Sequence, residues 1–301
     1  MKVLVLLTDS PERDVSARSA KAVADAARTA GLEVMEVDLT VGLSALDNIP
    51  KNTIVLPISH GVNAEDGWIQ AELEKRKLPF LGSDSESSKN CFDKWVTRTI
   101  LEKAGIKMPT AVRVTKESFK QQTISEKPYV LKILNGGSSI GTLVVRDPIK
   151  LEQSKIDELF TMEDTAVLEE LVEGNEITVP IFDTKALPVI EIIPPAEQEF
   201  DYENKYNGAT QELVPPKNVK PEIQKQAQEI AEQVHRTMGC RHLSRTDFML
   251  DKNGNLFVLE INTIPGLTDQ SLYPKSAKVA GMDMPELVKK FTELVKRDYN
   301  L

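Results

Sequence analysis

The stretch Ser244 to Asn262 carries the strongest local instruction in the chain. Asn253-Gly254 sits between two alternating apolar runs, the pattern of a β-hairpin closed by a two-residue type I′ turn. Such a turn sets the register. Asp247 falls opposite Glu260 and Arg245 opposite Asn262, and the period of two puts all four on one face. The other face then carries Phe248, Leu250, Phe257, Leu259 and Ile261 and reads as the packing side. Two carboxylates with β-carbons roughly 5 Å apart weaken a sheet unless something neutralises them. A bound cation would do so. Asp247, Glu260 and Asn262 offer only oxygen, with Arg245 beside them as a fixed positive donor, a set suited to magnesium that is also held by a substrate's phosphates. The alternative is a solvated face on which Arg245 simply pairs with Asp247 or Glu260.

A hairpin of this kind needs a core to rest on. With 301 residues, 41% hydrophobic and 28% charged, the chain can bury a sizeable one and is expected to divide into two or three domains. Its first segment alternates strand and helix signals. Val3 to Leu7 is a short apolar run, Val15 to Ala30 an Ala-rich helical stretch closed by Gly31, and Leu32 to Val37 a second strand. Ile54 to Pro57 and a helix from Glu65 to Arg76 continue the pattern, which implies a parallel sheet flanked by helices. Thr8-Asp9-Ser10-Pro11-Glu12 stands where a dinucleotide fold would place Gly-x-Gly-x-x-Gly, so nicotinamide chemistry is not expected. Further on, a helix over Lys94 to Ala104 precedes strands at Tyr129 to Leu134 and Leu143 to Val145. More strands follow from Val167 to Glu191, and a polar, irregular run around Phe200 to Pro216 reads as a lid. A helix over Pro221 to Met238 leads into the hairpin, and helices near Ser271 to Ala280 and Met284 to Arg297 come after it.

The formal charge of −9, from 37 basic against 46 acidic residues, argues against a nucleic-acid surface, so any phosphate site must be local. His60, His235 and His242 are too few for a histidine-rich metal centre, which leaves hard oxygen ligands with magnesium or calcium as the expected cation. No apolar run approaches the roughly 20 residues that span a bilayer. Met1-Lys2 leads directly into a strand, so the expectation is a soluble cytoplasmic protein with no targeting segment and no membrane partner. Cys91 and Cys240 lie far apart in sequence, with no spacing for zinc or a redox pair, and read as two buried thiols in a reducing compartment.

Two more stretches bear on chemistry. In Lys132-Ile133-Leu134-Asn135-Gly136-Gly137-Ser138-Ser139-Ile140-Gly141 the glycines let backbone N–H groups approach a phosphate, Ser138 and Ser139 add hydroxyl donors, and Lys132 supplies a point charge. The plain reading is a turn between strands. Val167-Leu168-Glu169-Glu170-Leu171-Val172-Glu173-Gly174-Asn175-Glu176 could offer carboxylates and backbone groups to a nucleoside, or could be a solvated strand edge whose charges block aggregation.

Taken in order, these stretches together with His60-Gly61-Val62-Asn63-Ala64-Glu65-Asp66-Gly67, Asp93-Lys94, Phe200 to Tyr206, Arg245-Thr246-Asp247 and Glu260 to Thr268 resemble the D-alanine:D-alanine ligases of the ATP-grasp superfamily. The resemblance covers nearly the whole chain. It implies a three-domain ATP-grasp fold, α/β and α+β: an N-terminal parallel α/β domain over 1–92, a central subdomain over 93–180 and a C-terminal domain over 181–301 with the metal site. ATP would lie between two antiparallel sheets. The implied reaction joins two D-alanine molecules through an acyl phosphate for peptidoglycan and the cell wall, in a cytoplasmic homodimer.

By the same resemblance Asp247, Glu260 and Asn262 would bind two magnesium ions, with manganese as a substitute, and Arg245 would stabilise charge at the reacting centre. Lys94, Lys132 and Ser139 would contact phosphates, with Glu169, Glu170, Val172 and Glu176 around adenine and ribose. Glu12 would receive the first substrate's ammonium group, with Ser138 and Tyr206 as companions and His60 close by. Gly266, Ser271 and Leu272 would bound the second D-alanine, and Lys205-Tyr206 would sit on the lid. The chain departs from the family pattern at Thr8-Asp9, where Gly-Gly is usual, at Pro11 between Ser10 and Glu12, and at Ile133, where proline is usual. These departures keep a ligase for another amino-acid pair in view, beside a catalytically silent nucleotide-binding homologue.

Overall fold

A computed structural model describes residues 1–10, 12–121, 127–137, 140–195 and 210–301. The chain opens with the expected parallel sheet. β1 (Lys2–Leu7) lies between β2 (Glu33–Asp38) and β3 (Ile54–Pro57), parallel to both. Its side chains serve two cores, because alternate residues point to opposite faces and both faces are covered. Val3 and Val5 pack with Ala20, Val23, Ala24 and Ala27 of helix α1 (Arg13–Thr29), while Leu4 and Leu6 pack with Ile69 and Leu73 of α2 (Trp68–Lys75). The α2 helix starts later than the pattern suggests. Gly67 holds φ +88°, and a Cβ there would lie 2.3 Å from the Ser85 carbonyl, so the chain turns before it coils.

Helix α3 (Ser85–Phe92), absent from the sequence reading, starts at Asp84, whose carboxylate accepts from the Ser87 amide at 2.8 Å. Asp93 does the same for α4 (Lys94–Lys103), accepting from the amides of Trp95 and Val96. Then come β4 (Ala111–Thr115), α5 (Lys116–Gln121), β5 (Tyr129–Ile133), β6 (Thr142–Val145), α6 (Gln153–Met162) and β7 (Thr165–Glu170). Their strands form an antiparallel sheet in the order β4-β7-β5-β6. A second antiparallel sheet follows, built from β8 (Gly174–Phe182), β9 (Lys185–Ala186), β10 (Ile190–Ile193), β11 (Gln211–Leu213), β12 (Leu243–Asp251) and β13 (Leu256–Asn262), with helix α7 (Pro221–Thr237) packed on it.

β8 runs unbroken through position 180 because it pairs along its length with β12. The change of sheet therefore falls between Glu170 and Gly174, ahead of the expected boundary at 180/181. Helices α8 (Leu272–Val279) and α9 (Met284–Tyr299) return to the first sheet, where Tyr273, Leu287, Val288 and Phe291 share a core with β1, β3 and α1.

The hairpin keeps its site register by an unforeseen route. Arg245 pairs with Asn262 and Asp247 with Glu260, as the sequence predicts. Nearer the turn, however, Leu250 pairs with Leu256 and Phe248 with Val258, one residue out of step. The turn is longer than two residues: Asp251 donates its N–H to the Asn255 carbonyl, and Gly254 takes φ +84°. The Asp251 carboxylate accepts from the amides of Asn253 and Asn255, both at 2.8 Å, which favours this wider turn over type I′. A bulge at Leu259 then resets the register. In consequence Leu256 and Val258 join Phe248 and Ile261 in the core, whereas Phe257 and Leu259, assigned by sequence to that face, do not.

The cysteines also differ from expectation. The Sγ atoms of Cys91 and Cys240 lie 3.7 Å apart, and Cys240 is only half-buried. Sequence separation concealed this contact, since tertiary packing of α3 on the turn after α7 creates it.

Candidate active site

The two antiparallel sheets and the parallel layer meet around a cavity of about 890 Å³. Its wall includes Glu12 and His60 from the parallel layer, Lys94 of α4, Gly136 and Gly137 after β5, and Arg245, Glu260 and Asn262 of the second sheet, and Gly266, Ser271 and Leu272 close one side. Ser138, Ser139, Lys205 and Tyr206 lie outside the described residues.

Strand β12 supplies a doubly bonded pair. Arg245 Nε donates to Asp247 Oδ1 at 2.9 Å and its Nη2 donates to Oδ2 at 2.8 Å, a two-pronged contact that fixes both side chains. The Thr178 hydroxyl, from β8, donates to Asp247 Oδ1. Burial works against the Arg245 charge, but Asp247 outweighs it and holds the guanidinium more firmly charged. The pairing of Arg245 with Asp247, the plainer of the two sequence readings, is thus present. It leaves Glu260 and Asn262 on the cavity wall, with Asn262 Oδ1 accepting from the Ile264 amide.

Across the cleft, Lys132 of β5 meets Glu169 of β7, Nζ to Oε2 at 2.9 Å, on the shared face of that sheet. Arg98, 2% exposed on α4, donates to the other Glu169 oxygen at 3.1 Å. Burial pushes Glu169 upward, yet these two cations hold it below the usual carboxylate range. The same burial opposes the Lys132 charge, which Glu169, Glu260 and Glu176 sustain, so acids from the facing sheet look at this lysine. Lys94 differs. Its burial outweighs the acids nearby and lowers its pKa, and its Nζ donates to the Gly136 carbonyl at 2.7 Å. Glu170, on the opposite face from Glu169, is exposed and accepts from the Thr110 amide, while Val172 lies half-buried in the link to β8.

The remaining wall belongs to the N-terminal layer. Glu12 is buried at the start of α1, and Gly61 and Gly137 make room for its carboxylate: a Cβ at either would lie 3.1 Å from Oε1. His60 accepts or donates through both ring nitrogens, Nδ1 to the Ile264 carbonyl at 2.8 Å and Nε2 to Ser19 Oγ at 3.4 Å. A carbonyl only accepts, so Nδ1 carries the hydrogen and Nε2 the lone pair. Burial lowers the His60 pKa to about 4, so the ring is neutral near pH 7. Sequence reasoning quoted Glu65 within a motif but gave it no role. It is buried beside these groups, accepts from the amides of Gly61 and Ile264, and is pushed by burial up to about 8 against those two amides. Arg98 and Thr178 were likewise missed, because only tertiary packing brings them to Glu169 and Asp247. Ser271 caps the turn before α8, accepting from the Thr268 amide at 3.1 Å, and approaches Gly266 so closely that a Cβ there would lie 2.8 Å from its hydroxyl.

Two antiparallel sheets that present cations and carboxylates to one cleft, set against a parallel α/β layer, define the ATP-grasp class of fold. Residues 100–293 match the family described as "D-ala D-ala ligase C-terminus". The chain is 38% identical over 286 residues to the D-alanine–D-alanine ligase of Methylacidiphilum infernorum, covering 95% of this chain and 92% of that one. Among solved structures, the D-alanine–D-alanine ligase of Bacillus anthracis superposes with a TM-score of 0.84 at 30% identity, covering 100% of this chain and 99% of that one. The same enzyme complexed with ATP superposes at 0.82 and 28% identity, with the same coverage. The chain belongs to the D-alanine–D-alanine ligase family.

Proposed function

We propose that this protein is an ATP-dependent ligase that joins two D-alanine molecules into D-alanyl-D-alanine for peptidoglycan. The observation that carries the reading is the single cavity whose wall holds an acid for an ammonium group, Glu12, and cations for phosphate and carboxylate oxygens, Lys94 and Arg245. ATP as the phosphoryl donor is supported by the ATP complex of the Bacillus anthracis relative.

In this reading Lys94 and Lys132 hold the phosphates, and Glu169 with Arg98 behind it fixes Lys132. Glu12 orients the first D-alanine so that its carboxylate attacks the γ-phosphorus, ADP departs, and Arg245 stabilises the charge that develops. The amine of the second D-alanine then attacks the acyl carbon and phosphate leaves. Ser271 and Leu272 bound that second site tightly enough to reject longer side chains, and neutral His60 lies alongside. Glu176, close enough to sustain the Lys132 charge, falls on the nucleotide side, whereas Glu170 faces away from it.

Asp247, Glu260 and Asn262 would hold magnesium: Glu260 and Asn262 offer hard oxygens on the cavity wall, and Asp247, bonded to Arg245 and Thr178, opposes Glu260 across the paired strands. Among the described residues no group of three His, Cys, Asp or Glu side chains is placed to hold a metal. Bound at Asp247, Glu260 and Asn262, two magnesium ions, or manganese in their place, supply neutralisation of the β- and γ-phosphate charge. A homodimer in the cytoplasm is the expected assembly, and light scattering checks it. Among the described residues no helix is long and apolar enough to cross a membrane.

Incubation with ATP, magnesium and D-alanine should yield ADP, phosphate and dipeptide. ATP turnover that ignores D-alanine but responds to another amino acid would favour a second reading, a ligase for a different pair. The observation behind that second reading is the loop before Glu12, where the buried hydroxyls of Thr8 and Ser10 have no hydrogen-bond partner among the described residues. Binding of ATP without turnover across the whole amino-acid panel would instead indicate a silent homologue. Glu260→Gln should lower kcat by about 100-fold or more, since even the outer partners of metal ligands are worth 10- to 100-fold. Its melting temperature should hold, because the change relieves like-charge repulsion opposite Asp247; an active variant would remove Glu260 from the ion's ligands.

A further inference from the structure

Cys91 lies in the last turn of α3, lines the cavity wall, and precedes Lys94 on the next helix. Cys240 sits in the turn between α7 and β12, the strand that carries Arg245 and Asp247. The two sulfurs come from positions 149 residues apart and meet at 3.7 Å. Residues on both sides of Cys240 are tied to the segment that carries Cys91. The Ser87 hydroxyl donates to the Gly239 carbonyl at 3.0 Å, and the Arg241 amide donates to Ser83 Oγ at 3.3 Å. Gly239 sits so close that a Cβ would lie 2.7 Å from Ser87 Oγ. The thiols are therefore held side by side by their neighbours. A disulfide of about 2.05 Å needs the sulfurs to close by roughly 1.6 Å.

We propose that Cys91 and Cys240 form a thiol pair that a low-molecular-weight disulfide converts into an intramolecular cystine, tying the cavity wall to the turn ahead of β12. The chemistry balances without another reactant. Cys240, the more exposed thiol, gives its proton to water, and its thiolate attacks the small disulfide, releasing one small thiol and leaving a mixed disulfide. Cys91 then loses its proton to water and its sulfur displaces the second small thiol from Cys240. Two protein thiols are oxidised and one small disulfide is reduced to two thiols. The contact with Cys240 and burial both push the Cys91 thiol up, so the first attack falls to Cys240. In a reducing compartment the pair rests as two thiols.

Exposure of the purified full-length chain to oxidised glutathione at mildly alkaline pH, followed by peptide mapping without reduction, tests the proposal. Both thiols should disappear together, with no glutathione retained, a Cys91–Cys240 cross-linked peptide recovered, and full reversal by dithiothreitol. The melting temperature of the oxidised chain should rise by several degrees, as expected for closing so long a loop. Cys91→Ala should retain one glutathione on Cys240, and Cys240→Ala should leave Cys91 unmodified. If either variant fails to fold, the wild-type map decides alone. Retained glutathione on the wild-type chain, a disulfide-linked dimer, or two unreacted thiols would each overturn the proposal. Because the readout is the bond itself, failure here leaves the ligase reading intact, and absence of ligase activity leaves this pair intact.

Discussion

Glu65 and His60 sit against the same Ile264 backbone and are shifted in opposite senses by one cause, burial. Each penalises its charged form when removed from water, and the sign of the charge decides the direction. Glu65, at about 8, keeps a proton that the unfolded chain gives up above its ordinary 4.5, so its burial costs stability progressively from there to pH 8. His60 and His235, each lowered to about 4 by burial, refuse a proton that the unfolded chain accepts below 6.5, so stability falls as pH drops from 6.5 to 4. For these three groups the slopes combine to a maximum near pH 6.5. Glu65→Gln should flatten the alkaline limb, shrinking the loss of unfolding free energy between pH 6.5 and 8 by on the order of 2 kcal/mol. Urea denaturation at the two pH values reads it, and an unaltered pH difference would assign the limb to other groups.

The hairpin of β12 and β13 shows what an element adds to its residues. Gly254 holds the left-handed conformation that closes the turn, so Gly254→Ala should cost about 1 kcal/mol. Turnover should be unaffected, because the bulge at Leu259 lies between the turn and the Asp247–Glu260 pair, and β8 holds β12 along its other edge. Reduced turnover in a folded Gly254→Ala variant would show that turn and site are coupled. The sequence reading placed those two acids correctly through two departures that offset each other, a turn with one residue more and a strand with one residue more. Neither was legible, since the Asp251 side-chain cap competes with the Asn-Gly preference and a bulge answers to the twist of the whole sheet. Where one local signal dominates, reading and structure coincide: β3 spans Ile54–Pro57 in both. Short α3 and the strand β4, with weak apolar periodicity and decisive tertiary partners, went unread.

At the scale of the molecule, the parallel layer does not own its core. Val3, Val5, Ile54 and Leu56 share it with Leu287, Val288, Phe291, Leu294 and Val295 of α9. Burying five such side chains is worth on the order of 10 kcal/mol, comparable with the whole stability of a typical domain. Deleting Met284–Tyr299 should therefore abolish the cooperative unfolding transition and give an insoluble or molten product. A soluble truncated chain that melts sharply at the wild-type temperature would refute this.

That shared core also imposes an order on synthesis. The strands up to Pro57 leave the ribosome long before Met284, an interval of roughly 10–45 s at 5–20 residues per second. Through that interval the face they turn to α1 lacks the part of its lining that α9 supplies, and the nascent protein is most exposed to chaperones and to aggregation while its first lobe waits for a helix not yet made.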